Sequence, residues 1–239
     1  DIEIELNNMK IGGPGSKYNN VKSITDLIRK SMRIVLSGLQ QTNYPISYNE
    51  QENILHEYLQ LLHGKQYEKP KNVYSGSFIG PMSYPLEIKH IMEENENNKL
   101  PNIRKNYTVT DKADGDRNLL FINREGKIYL INSNMDVMFT GSKIDDKGLY
   151  ESLLDGEHIR YDKKNKYINL FAAFDVYYIK DKSTRDLPFS VSEGDELLEK
   201  KPEYRLHLLS KFIDKLKLKN VTDSEGPCEF NIVCKNFAG

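Results

Sequence analysis

The stretch Thr108-Val109-Thr110-Asp111-Lys112-Ala113-Asp114-Gly115-Asp116-Arg117 sets a lysine, three acids, a glycine and an arginine close together, ahead of the apolar run Leu119-Leu120-Phe121-Ile122. Alternation before the lysine and an apolar run after it read as two strands, so Lys112 sits just past a strand end on a rigid backbone. Gly115 permits a sharp or positive-φ turn, which lets Lys112 and Arg117 face one pocket. The chemistry this suits is attack by the lysine amine on a nucleotide phosphorus. An amine attacks only when neutral, so its pKa must fall from about 10.4 through desolvation or nearby positive charge. Arg117 and a bound divalent metal both act in that direction, and the guanidinium can also fork onto phosphate or ribose oxygens. Taken alone, Lys-x-Asp-Gly describes an exposed hairpin turn equally well.

The elements that must position this stretch follow from patterning. Lys127-Ile128-Tyr129-Leu130-Ile131 reads as a second strand, joined to the first through the Asn123-Arg124-Glu125-Gly126 turn. Leu153-Leu154-Asp155-Gly156-Glu157 repeats the theme of an apolar strand meeting Asp-Gly and an acid, and Tyr167 to Tyr178 reads as a further strand containing Phe174-Asp175. Helices are expected from Ser23 or Thr25 to about Gln40, from Glu50 to Leu62 with a stop at Gly64, and from about Pro202 to Lys219. The last carries Leu206, Leu209, Phe212, Ile213 and Leu216 as its apolar stripe, with Lys215 to Lys219 as a solvated final turn. Val73 to Ile91, rich in Gly and Pro, is an irregular extended lead-in followed by a short helix, and Glu93 to Lys99 is a polar loop.

Composition bounds the class. The 239 residues are 38% hydrophobic and 29% charged with a net charge of −1, as in a globular chain whose nucleic-acid contacts are local. No apolar run is long enough for a membrane span, and no signal-like segment opens the chain, so the expected location is cytoplasmic. Cys228 and Cys234, six apart, suit neither a disulfide nor a four-ligand zinc site and read as reduced apolar fillers. Asp1-Ile2-Glu3-Ile4-Glu5-Leu6 alternates strictly, the pattern of an acidic edge strand.

The order Lys-Ala-Asp-Gly-x-Arg, then Leu-Asp-Gly-Glu, then a strand ending in Phe-Asp resembles the covalent nucleotidyltransferases, which comprise mRNA capping guanylyltransferases, DNA ligases and RNA ligases. Phe78-Ile79-Gly80 through Pro85-Leu86, Tyr107-Thr108-Val109 and Lys127 to Asn132 are most similar to the capping guanylyltransferases. The resemblance covers residues 74 to 178 and continues more faintly to Phe237. It implies an α+β nucleotidyltransferase fold of the DNA-ligase, ATP-grasp-like type, built on twisted antiparallel sheets. Lys112 would form a lysyl-GMP intermediate from GTP and pass GMP to the diphosphate 5′ end of RNA. Arg117 and Glu157 would hold ribose and phosphate, Phe174 would stack on the purine, Asp114 and Gly115 would shape the turn, and Mg2+ or Mn2+ would neutralise phosphate charge.

Two departures accompany the resemblance. Family members often carry Asp-Arg after the second strand, where this chain has Asn132-Ser133. The later acid-Gly-aliphatic and Lys-x-Lys strands are not matched: Ser224-Glu225-Gly226-Pro227 begins like the first and is interrupted by Pro227, while Phe230 to Phe237 looks like the strand before it. The chain therefore reads as incomplete at its C-terminal end, with residues 21–239 a partial guanylyltransferase domain lacking an OB-fold. Glu3 and Glu5 resemble the last Glu-x-Glu strand of the tunnel-type RNA triphosphatases, in which such pairs hold a metal. Residues 1–20 would then end a preceding triphosphatase-like domain, as in multifunctional capping enzymes of large viruses that work in viral factories or virions. A cap methyltransferase is the expected further partner. An ATP-using polynucleotide ligase and a non-catalytic nucleotide-binding module are the alternatives.

Overall fold

The computed structural model describes residues 2–13, 15–93, 102–104, 107–191, 203–221 and 229–238. Its centre is an 8-stranded sheet. The strands are β1 (Asp116–Ile122), β2 (Lys127–Asn132), β3 (Val137–Lys143), β4 (Ser152–Tyr161), β5 (Tyr167–Ile179), β6 (Lys182–Ser183), β7 (Lys219–Asn220) and β8 (Asn231–Cys234). The order across the sheet is β6-β5-β4-β1-β2-β3-β7, with β8 pairing β5. All neighbours are antiparallel except β8, which lies parallel to β5 from Leu170↔Asn231 to Ala173↔Cys234. The expected antiparallel sheet is thus present, with this parallel edge pairing added to it. A chain that returns through helix α3 (Arg205–Lys215) arrives at the β5 edge in the same direction, which a tight hairpin cannot do.

Three hairpins are closed by one device, an Asx turn whose side-chain oxygen takes two backbone N–H groups. Asn123 Oδ1 accepts from Glu125 and Lys127 at 3.0 and 2.9 Å. Asn132 Oδ1 accepts from Asn134 and Asp136 at 2.9 Å each, and Asp162 Oδ1 from Lys164 and Lys166 at 2.8 and 2.9 Å. Asn132 thus closes the β2–β3 turn. β3 itself is a strand that patterning did not signal, since Val137-Met138-Phe139-Thr140-Gly141 follows so closely on β2.

The apolar runs of β1 and β2 bury both faces of the sheet. Leu119, Phe121, Tyr129 and Ile131 pack against Ile54, Tyr58 and Leu59 of helix α2 (Tyr48–His63). Leu120, Ile122, Ile128 and Leu130 pack on the other side with Leu209 and Phe212 of α3 and with Phe230. Side chains of this size, removed fully from water, contribute about 1.5–3 kcal/mol each before entropy is counted. Helix α2 (Tyr48–His63) is capped by Ser47 and ends at Gly64, whose φ is +99°. Helix α1 (Val21–Gln40) is capped by Asn20 in a box with Ser23, so Ser23 is the third helical residue rather than the cap. Helix α3 spans Arg205–Lys215, shorter than its pattern, because Leu216 turns extended and Lys219–Asn220 joins the sheet as β7. The lead-in holds two 3-10 turns, Ser75–Ser77 and Ile88–His90. Ile2 to Leu6 forms no strand. Pro202, Ser224 to Pro227, Cys228 and Glu93 to Lys99 beyond Glu93 lie outside the described residues.

Candidate active site

Lys112 is exposed on an extended segment that precedes β1, with its Nζ 3.4 Å from the Ala113 carbonyl oxygen. The strand before it is reduced to one bridge, Val109↔Ala238, and β1 begins only at Asp116. Asp114 is exposed beside it. Gly115 does not have the positive φ expected of it. Its role is proximity: a Cβ there would stand 2.7 Å from the His158 carbonyl oxygen, so only glycine lets the segment lie against β4.

Arg117, the second residue of β1, lies directly opposite Glu157 of β4. Its guanidinium forks onto Asp155, Nε to Oδ1 at 3.1 Å and Nη2 to Oδ2 at 2.5 Å, while Nη1 donates to the Pro81 carbonyl at 2.5 Å. The Phe78 and Phe174 rings flank it, with centroids 5.6 and 5.7 Å from Cζ. Asp155 is fully buried and takes a third hydrogen bond, from Tyr177 Oη at 2.6 Å. Burial and the adjacent Asp155 carboxylate push the Tyr177 hydroxyl upward, which keeps it a donor, and Asp155 raises the Arg117 guanidinium in turn. Such charge-assisted bonds fix Arg117 and, through Pro81, tie the lead-in to the sheet. Glu157 has a buried Oε2 without a hydrogen-bond partner among the described residues. That carboxylate oxygen is an acceptor in want of a donor.

The pairing of β5 with β4 shifts register at three points, and two of these bring Phe174 and Tyr177 to this face. Asp155 pairs with Asp175 and Gly156 with Ala173, which leaves Phe174 as the extra residue; Leu153 pairs with Tyr178 and Leu154 with Val176, which leaves Tyr177. Bulges re-aim side chains in this way beside functional sites. Both Asp-Gly-Glu and Phe-Asp therefore lie inside strands, not at strand ends as expected. Asp175 is held by Arg205 of α3, at 2.8 and 3.1 Å, which anchors that helix on β5.

Sequence reasoning missed Lys235. Its backbone N–H donates to Ala173 O at 2.8 Å, directing the side chain across the bulge. Its Nζ donates to the Asp111 carbonyl at 2.6 Å, next to Lys112, and stands 6.0 Å from the Phe174 ring centre. A lone lysine after Asn231-Ile232-Val233-Cys234 carries no local signal. Asp155 and Tyr177 were missed as well, although Asp155 adjoins the Gly-Glu pair.

A polar cavity of about 750 Å3 is lined by Gly115, Asp116, Arg117, Asn118, His158 and Arg160 among others and does not include Lys112. Glu3 and Glu5 are exposed in a segment that pairs with no strand. Among the described residues no three His, Cys, Asp or Glu side chains gather as a metal cluster, and no helix is long and apolar enough to cross a membrane. Cys234 is a free thiol whose pKa burial raises.

Residues 81–221 match the sequence profile of the family described as mRNA capping enzyme, catalytic domain. The chain is also similar to a probable mRNA-capping enzyme of Acanthamoeba polyphaga mimivirus, 31% identical over 140 residues, which is 59% of this chain and 10% of that protein. The chain thus spans about a tenth of the length of the curated relative it matches.

Proposed function

The chain belongs to the mRNA capping enzyme catalytic-domain family, and from that membership we propose that it is an mRNA guanylyltransferase, part of a multifunctional capping enzyme. The observation that carries this is the convergence of Arg117, Asp155, Glu157 and Phe174 from strands far apart in sequence, with Lys235 reaching the carbonyl of Asp111, the residue before Lys112. The core is read as the ligase-type nucleotidyltransferase fold, with residues 1–20 ending a preceding triphosphatase-like unit. A cap methyltransferase and a cytoplasmic viral factory are the corresponding partner and setting.

In this reading Lys112 Nζ attacks the α-phosphorus of GTP. A nitrogen–phosphorus bond forms, the bond to pyrophosphate breaks, and the amine proton passes to solvent. A β-phosphate oxygen of the 5′-diphosphate RNA then attacks the same phosphorus, and the lysine leaves and is reprotonated. Glu157 supplies the free carboxylate oxygen for a ribose hydroxyl. The purine stacks on Phe174, where Lys235 approaches the ring. A lysine ammonium only donates, so it favours the O6 acceptor of guanine over the N6 amino group of adenine.

A divalent ion fits here as one carried on the nucleotide phosphates with at most a carboxylate such as Asp114 from the protein, as Mg2+ is commonly bound. When bound it would neutralise phosphate charge. Arg117, clamped by Asp155, is a fixed cation at the edge of the site, and Lys112 is left exposed for its substrate to cover.

The test is incubation with α-labelled GTP or ATP and a divalent ion, followed by denaturing electrophoresis. An acid-labile, base-stable label from GTP, absent from Lys112→Ala, is the expected result. Labelling from ATP alone would make the chain a ligase, and persistent labelling of Lys112→Ala would move the nucleophile elsewhere.

A further inference from the structure

The approach to Lys112 leaves large apolar side chains in water. Tyr84 is 73% and Tyr107 51% exposed, and Met82, Leu86, Ile88 and Met92 are exposed with them. A concentration of this kind beside a site marks a binding surface. Here it borders a cavity of about 480 Å3 whose walls include Tyr84, Leu86, Lys89, His90, Ile103 and Tyr107.

The cavity has a built floor. The Glu87 backbone N–H donates to His90 Nδ1 at 2.9 Å, fixing the buried imidazole, which meets the Tyr84 ring edge-on with centroids 5.6 Å apart. Ile103 N–H donates to the His90 carbonyl at 3.0 Å, and Asn102 Nδ2 to the Met92 carbonyl at 2.5 Å. Both walls run directly into the nucleotide-facing residues. Tyr84 lies three residues beyond Pro81, whose carbonyl Arg117 holds, at most about 11 Å of chain. Tyr107 lies five residues before Lys112, at most about 18 Å of extended chain.

We infer that this cavity is the acceptor subsite, taking the first bases of the 5′-diphosphate RNA by stacking on Tyr84 and Tyr107, with Lys89 toward their phosphates. This rests on the guanylyltransferase reading. Phe174 is occupied by the donor purine in that reading, so a second set of aromatic faces, with Tyr107 within about 18 Å of the same lysine, matches a second nucleotide substrate. Aromatic faces with a neighbouring lysine bind single strands with little regard to base, which suits an enzyme that must accept transcripts of many sequences. Lys89 is paired with Glu87 at 2.8 Å, but both are well exposed, so the pair opens at little cost.

The experiment compares the parent chain with Tyr84→Ala, Tyr107→Ala and Tyr84→Phe. Lysyl-GMP formation without RNA is measured first, then transfer of GMP to a short 5′-diphosphate oligoribonucleotide, and separately the fluorescence of that oligonucleotide with 2-aminopurine at its first base. The alanine variants should form lysyl-GMP within about twofold of the parent, while the RNA concentration for half-maximal transfer rises about 5- to 150-fold, as the loss of one stacked base implies. Quenching of 2-aminopurine should weaken in parallel, and Tyr84→Phe should retain both. Unchanged transfer and quenching in the alanine variants would overturn the subsite and leave the surface to a protein partner. A parent chain that forms no lysyl-GMP would overturn the function reading instead, and the quenching titration would still decide whether a base stacks in the cavity.

Discussion

Lys235 enters the site from beyond β8, with its ammonium between the Asp111 carbonyl and the Phe174 ring. If it reads the guanine edge, Lys235→Ala should slow lysyl-GMP formation about tenfold or more, the worth of a hydrogen bond to a charged group, and leave the weaker reaction with ATP nearly unchanged. An equal loss with both nucleotides would assign it to phosphate or structure. His158 lies behind the motif, its Nε2 2.8 Å from Asn169 Oδ1. Burial lowers its pKa from 6.5, and Arg160 adds to this, against the Asn169 hydrogen bond and Asp116. The unfolded chain therefore takes up a proton near 6.5 while the folded chain does not. The stability from neutral His158 is complete above that value and is lost as pH falls through the folded one. Urea midpoints taken at about pH 7.5 and about pH 5 should drop further in the parent than in His158→Asn. The same drop in both would remove His158 from the account.

At the level of elements, the bulges of β5 decide which aromatics stand beside Arg117. The run Phe171-Ala172-Ala173-Phe174-Asp175-Val176-Tyr177-Tyr178 is legible as a buried strand, but its register is not. Periodicity assigns alternate residues to alternate faces, and an inserted residue changes that assignment only once the partner strand is known. Gly156 lies at the first bulge, where an added Cβ would stand 2.5 Å from Phe171 Cζ and 2.7 Å from the Ala172 carbonyl oxygen. Gly156→Ala should therefore cost about 1–3 kcal/mol, as overpacking does, and weaken nucleotide labelling as Phe174 shifts. Denaturant unfolding at unchanged slope would register the loss, and a neutral result would mean that β4 and β5 can part without penalty.

Across the whole molecule, stability is unevenly placed. The sheet is buried on both sides by α2 and α3, whereas α1 has no fully buried residue along its length. Amide exchange should thus be slowest in β1, β2 and β4 and fast in α1 despite its capping box. Protection of α1 equal to that of β1 would show that it unfolds only with the core. Its apolar stripe, Ile24, Leu27, Ile28 and Val35, is legible in the sequence as a helix; that it finds so little to pack against is not.

The sequence by itself made Lys112, Arg117 and Glu157 legible as candidates, because each falls in a short local pattern set by strand alternation, whereas the close approach of Gly115 to the His158 carbonyl is visible only once β4 is in place. It also determined the three helices and most of the strands, since burial periodicity and Asx turns act within a few residues. Tertiary structure alone decided that Arg117 is clamped by Asp155 and Tyr177, that Phe174 is turned into the site by a bulge, and that Lys235 reaches Asp111 from a parallel strand. Each of these joins residues far apart in the chain, where the deciding term is the pairing register of two strands, and register is a property of the pair that neither strand's sequence carries alone.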